Sequence, residues 1–81
     1  MVKLNKQVEA LELMQEKIQE KMEALEEKKE AIEEKAYERE SGELTEREEE
    51  RISNIEDQID ELQQEYDDID TALDYLREYV D

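Results

Sequence analysis

From Ile52 to Val80 the apolar residues fall three and four positions apart without a break: Ile52, Ile55, Ile59, Leu62, Tyr66, Ile69, Leu73, Leu76 and Val80. An α-helix turns once in about 3.6 residues, so this spacing lays them along one stripe. Ile52, Ile59, Tyr66, Leu73 and Val80 occupy heptad position a, and Ile55, Leu62, Ile69 and Leu76 occupy d. The first half repeats the pattern less cleanly. Leu4, Leu11, Ile18, Leu25 and Ile32 fill d, while a holds Val8, Gln15, Met22, Lys29 and Ala36. Two long amphipathic helices are predicted, and the absence of proline with the abundance of Glu, Lys, Gln, Leu and Ala favours them.

The interruption lies at Glu40, Ser41, Gly42, Glu43, Leu44 and Thr45. Gly42, the one glycine, takes a left-handed backbone without steric cost, so helix 1 is expected to stop there. Thr45 and Glu48 stand three apart, as in a capping box, and Glu46, Glu48 and Glu49 suit the positive end of the helix dipole. The expected architecture is all-α: an antiparallel two-helix hairpin, a coiled coil forming one small domain over 1–81. Helix 1 is placed at about 3–40, the loop at about 41–44 and helix 2 at about 45–80. The competing arrangement is one continuous helix, since a lone glycine costs only about 1 kcal/mol there.

Nearly equal arms favour the hairpin, because folding at Gly42 opposes positions whose numbers sum to about 85. Leu4 then meets Val80, Leu11 meets Leu73 and Ile18 meets Tyr66. Leu25 lies between Ile59 and Leu62, and Ile32 between Ile52 and Ile55. The polar interruptions match as well: Lys29 faces Glu56, and Lys21 lies near Glu65. Two helices alone bury little against the entropy of ordering them. Toward the open end, away from the loop, the stripe widens, as Ala10, Leu13 and Met14 join Leu11 while Ala72, Tyr75 and Tyr79 join Leu73 and Leu76. Such a cluster predicts a second contact surface. A homodimer through that end, in the form of a four-helix bundle, is expected, with Leu13, Met14, Tyr75 and Tyr79 as interface anchors. A foreign partner on the same end is the alternative.

Composition narrows the function classes. Of 81 residues, 48% are charged and the net charge is −17, with no Cys, His, Trp or Phe. No disulfide framework is possible, and the usual proton shuttles, activated nucleophiles and zinc ligands are missing. No apolar run approaches the ~20 residues of a membrane span, and the first residues lack a signal peptide's apolar stretch, so a cytoplasmic protein without membrane contact is expected. Direct binding to nucleic acid is disfavoured, since phosphate repels carboxylate. Asp68-Ile69-Asp70-Thr71 lacks the glycine and terminal Glu of a calcium loop, Ser41 and Ser53 have no His, and a convex helix offers carboxylates no pocket. No enzyme, cofactor or metal site is expected.

The charge is uneven. Residues 1–42 carry 12 acids and 8 bases, whereas residues 43–81 carry 16 acids and 3 bases. Between Arg51 and Arg77 there is no base, yet there are nine acids: Glu56, Asp57, Asp60, Glu61, Glu65, Asp67, Asp68, Asp70 and Asp74. Helix 1 reads as a self-compensating surface and helix 2 as an anionic ridge. Solubility alone would be served as well by Glu, a better helix former than the six Asp here. Like charges at i,i+3 and i,i+4, such as Asp57–Glu61 and Asp70–Asp74, also cost a few tenths of a kcal/mol each. Over about 37 Å of helix the ridge carries roughly one charge per 4 Å, against one phosphate per about 3.4 Å in a DNA strand.

In size, acidic balance and the run from Glu56 to Asp74, the chain resembles the small acidic proteins of phages and mobile elements that inhibit nucleic-acid-handling enzymes by imitating DNA. Anti-restriction and anti-CRISPR proteins are of this kind. The resemblance lies in charge and size, with no shared motif. It implies an inhibitor in the host cytoplasm whose partner is a basic protein, a nucleic-acid-handling enzyme, met by Glu56, Asp57, Asp60, Glu61, Asp67, Asp68, Asp70 and Asp74. The other class the sequence supports is a structural or adaptor coiled coil whose product is self-association.

Overall fold

The computed structural model describes residues 2–79 and the side chains of residues 5–79. Two helices, α1 (Val2–Glu38) and α2 (Glu46–Arg77), lie antiparallel in a rod of 61 × 15 × 13 Å. The chain is a helical hairpin, and the continuous-helix alternative is excluded. From Val8 to Ala36 and from Ile52 to Leu76, every a and d side chain is buried or half-buried. Ile18, Met22, Ile32, Ala36, Ile52, Ile55 and Leu73 form the core, and Leu73 is fully enclosed at 0% exposure. Ile32 packs with Ile52 and Ile55, as the fold about Gly42 requires, and Leu25 and Ile59 close the cluster. Leu44 reaches the same cluster from the loop, a contribution that lies outside the heptad and so escaped the periodicity. The pairing of Leu4 with Val80 lies outside the described residues.

Two polar residues interrupt the seam, and each finds a partner. Gln15 donates from Nε2 to the Tyr66 carbonyl oxygen at 3.2 Å. Lys29 Nζ lies 4.0 Å from Glu56 Oε2 at the edge of the seam. Among the described residues no buried side-chain nitrogen or oxygen lacks a partner, so these interruptions carry no unpaired-group penalty.

The loop begins about two residues earlier than the sequence suggests. Helix α1 ends at Glu38 rather than about residue 40, and two tight turns follow, with Arg39 N–H donating to the Ala36 carbonyl and Gly42 N–H to the Arg39 carbonyl. Gly42 then takes φ 65°, the left-handed conformation expected of it. Thr45 is the N-cap: its Oγ1 accepts from Glu48 N–H at 3.2 Å, and Glu48 Oε1 accepts from Thr45 N–H at 3.0 Å. Helix α2 ends at Arg77, short of residue 80, in a turn where Tyr79 N–H donates to the Leu76 carbonyl.

Candidate interaction surface

Helix geometry and the seam together assign the outward positions. With a and d on the seam, e and b lie to one side of each helix, g and c to the other, and f on the outer spine. Antiparallel packing sets like against like, e facing e and g facing g. Arg77 and Glu12, both at e, pair across the hairpin, with Nη2 3.3 Å from Oε2. Lys21, Lys28, Gln58 and Glu65, all at g, line one concavity on the opposite side. The hairpin therefore has two distinct sides.

The b/e side is acidic along its whole length. Helix α1 contributes Glu9, Glu12, Glu16, Glu23, Glu26, Glu30 and Glu33, and α2 contributes Glu46, Glu49, Glu56, Asp60, Asp67, Asp70 and Asp74. The one base at these positions within the helices is Arg77, already paired with Glu12. The c/g side is different. From Gln7 to Lys35, α1 places no acid there, only Ala10, Met14, Lys17, Lys21, Ala24, Lys28, Ala31 and Lys35 after Gln7 itself. The picture of α1 as a self-compensating surface is thus corrected: its charges are segregated by side, and the fold aligns its acidic side with that of α2.

All nine acids of the α2 ridge are exposed, but they do not share one face. Asp60, Asp67 and Asp74 repeat at b, about 10.5 Å apart, with Glu56 and Asp70 at e beside them. Glu61 and Asp68 sit at c, Glu65 at g, and Asp57 at f on the spine. A ridge read along the chain becomes two rows because consecutive residues diverge by about 100°. Asp67 also accepts from Gln63 Nε2 at 3.1 Å, and its carbonyl accepts from Thr71 Oγ1 at 3.1 Å.

The open-end apolar residues divide in the same way. Met14 and Tyr79 at g and Tyr75 at c share one side with Ala10 and Ala72, and all but Ala72 are exposed. Leu13, at f, instead borders an open concavity on the b/e side with Glu9, Glu12, Gln15, Glu16, Gln19 and Tyr66. The anchor set is therefore Met14, Tyr75 and Tyr79, with Leu13 apart. Sequence reading passed over Tyr37, the most exposed large apolar side chain at 87%, at b among Glu30, Glu33, Glu34 and Glu38. The b column Glu9, Glu16, Glu23, Glu30 leads directly to it.

The pairing of Arg39 with Glu48, whose cap with Thr45 was expected, was also missed. Arg39 grips the Glu48 carboxylate with its two terminal guanidinium nitrogens, Nη2 to Oε2 at 2.6 Å, and Nη1 also donates to the Glu43 carbonyl at 3.4 Å. This fork, helped by the Thr45 amide, holds the Glu48 carboxyl down at about 2. One more heptad step from Ile32 and one back from Ile55 place both residues at d, which is the signal that could have found them.

Among the described residues no three acids are grouped to hold a metal ion, and no helix is long and apolar enough to cross a membrane. No protein-family model, curated protein or solved structure matches the chain.

Proposed function

We propose that this hairpin is an acidic protein-binding rod that occupies the basic nucleic-acid-binding surface of a target enzyme, in the manner of a DNA-mimic inhibitor of the anti-restriction or anti-CRISPR kind. The observation that carries the reading is the b/e side: seven carboxylates from each helix, aligned by antiparallel packing, with one base that is already paired. A net charge of −17 over a 61 Å axis is about one charge per 4 Å, close to the spacing of phosphates on a single strand. A groove lined with Lys and Arg to hold such a strand would meet carboxylates at matching intervals, through charge-assisted hydrogen bonds and fast, salt-sensitive association. Tyr37, exposed amid this side, supplies an aromatic anchor of the type that dominates interface energy.

The test is displacement of a labelled oligonucleotide from basic nucleases of the restriction and CRISPR classes. The chain should compete at low salt. Asp60→Asn, Asp67→Asn and Asp74→Asn together should weaken competition at least tenfold, a loss of ~1.4 kcal/mol or more. Competition that survives about 1 M salt, where the screening length falls to ~3 Å, or that ignores the triple change, would sink the reading. A second reading, a structural coiled coil working by self-association, is favoured by Met14, Tyr75 and Tyr79 standing exposed on the other side.

A further inference from the structure

Two features of the c/g side call for a partner that is not simply a basic protein. The first is apolar. Leu25 and Leu62, half-buried, line a concavity there, and the open half adds exposed Met14, Tyr75 and Tyr79. The second is charge. A chain of net −17 repels its own copies over most of its surface, yet α1 offers no acid on this side between Gln7 and Lys35.

We infer that the c/g side docks a second copy of this chain, about a two-fold axis parallel to the long axis of the hairpin, giving an antiparallel four-helix bundle with both b/e sides outward. The inference does not depend on the proposed inhibitor function. Such an axis preserves height along the rod, so α1 of one copy meets α2 of the other at the level already set within each hairpin. The dimer is isologous, and every contact occurs twice. At c, Lys17 then stands opposite Asp68 of the second copy, Glu38 opposite its Arg47, and Ala10 opposite its Tyr75, a small residue receiving a large one. At g, Met14 already faces Ala72 and Lys21 faces Glu65 within each hairpin, and the two-fold axis stacks these matched pairs against their copies at the same heights. Opposite charges and complementary sizes recur through the open half without any adjustable register, whereas nearer the loop Ala24 stands opposite Glu61 and Ala31 opposite Asn54. Lys35 and Arg51, which share the loop-end concavity with Glu48, bring like charges together, so the contact is tightest over the open half.

The test uses the whole chain in solution. Its mass by sedimentation or light scattering should rise with concentration toward twice 9.8 kDa. Lys17→Glu and Asp68→Lys, both at exposed positions, should each weaken self-association about tenfold or more, and the double swap should recover most of it. Far-UV circular dichroism of each variant verifies that the helices persist. A mass that stays at 9.8 kDa throughout overturns the proposal, as does a dimer indifferent to the single changes or a double swap no better than the singles. The Asp60, Asp67 and Asp74 triple variant should still dimerise, so failure of this inference and failure of the inhibitor reading give different results.

Discussion

Gly42 shows how one residue decides the shape of the molecule. Its φ of 65° is the left-handed region, and a Cβ built there meets nothing within 4 Å. Any penalty for a side chain therefore comes from the backbone dihedral and not from crowding. We expect Gly42→Ala to cost about 1–2 kcal/mol, seen as a lower urea midpoint with an unchanged slope, and Gly42→Asn to cost less. An unchanged midpoint for the alanine variant would show that the turn does not rely on this conformation. This role was legible in the sequence because the residue is the one glycine, placed between two striped arms. The end of α1 was less legible, since Arg39 turns out of the helix to serve Glu48 and Glu43, partners supplied by the returning chain.

At the scale of the element, the start of α2 is fixed by a reciprocal cap that its own sequence announces, Thr45 three residues before Glu48. What the local sequence does not announce is that Glu48 also receives Arg39 from the turn that follows α1. The consequence is a pH dependence of definite sign. Glu48 has a folded pKa of about 2, below its ordinary 4.5, so its ionised form is favoured by folding. That stabilisation is complete above about 4.5 and is lost as pH falls through the folded value. A Glu48→Gln variant should melt below the parent at neutral pH, and the gap should narrow progressively as pH drops from about 4.5 toward 2. A gap that stays constant over this range, measured by thermal melts, would remove the ion pair from the account.

The whole molecule is governed by self-repulsion. Three cross-hairpin ion pairs were found among the described residues, against a net charge of −17. Two of those pairs are substantially exposed, and exposed pairs contribute ~1 kcal/mol at most. Repulsion between the aligned b/e rows should therefore win. Raising sodium chloride from about 0.01 M to 1 M shortens the screening length from ~30 Å to ~3 Å, and the melting temperature should rise. A fall would mean that the ion pairs outweigh the repulsion. The same alignment explains why the candidate surface was only half legible. Counting charge along the chain identified α2 as anionic, but a linear count merges residues that point about 100° apart. It therefore joined Asp68 to Asp67, and Leu13 to Met14, although each pair diverges to opposite sides.

By itself the sequence determined the two helices, their seam, the turn at Gly42 and the cap at Thr45. Each of these depends on residues within a turn or two of one another, where periodicity and backbone preference act directly. The tertiary structure alone decided that Arg39 closes on Glu48, that Leu44 enters the core, and that the acids of one helix lie beside those of the other. These depend on height and facing between the two arms and across the turn that joins them, which are set only when both stripes pack and two separately patterned helices become one two-sided rod.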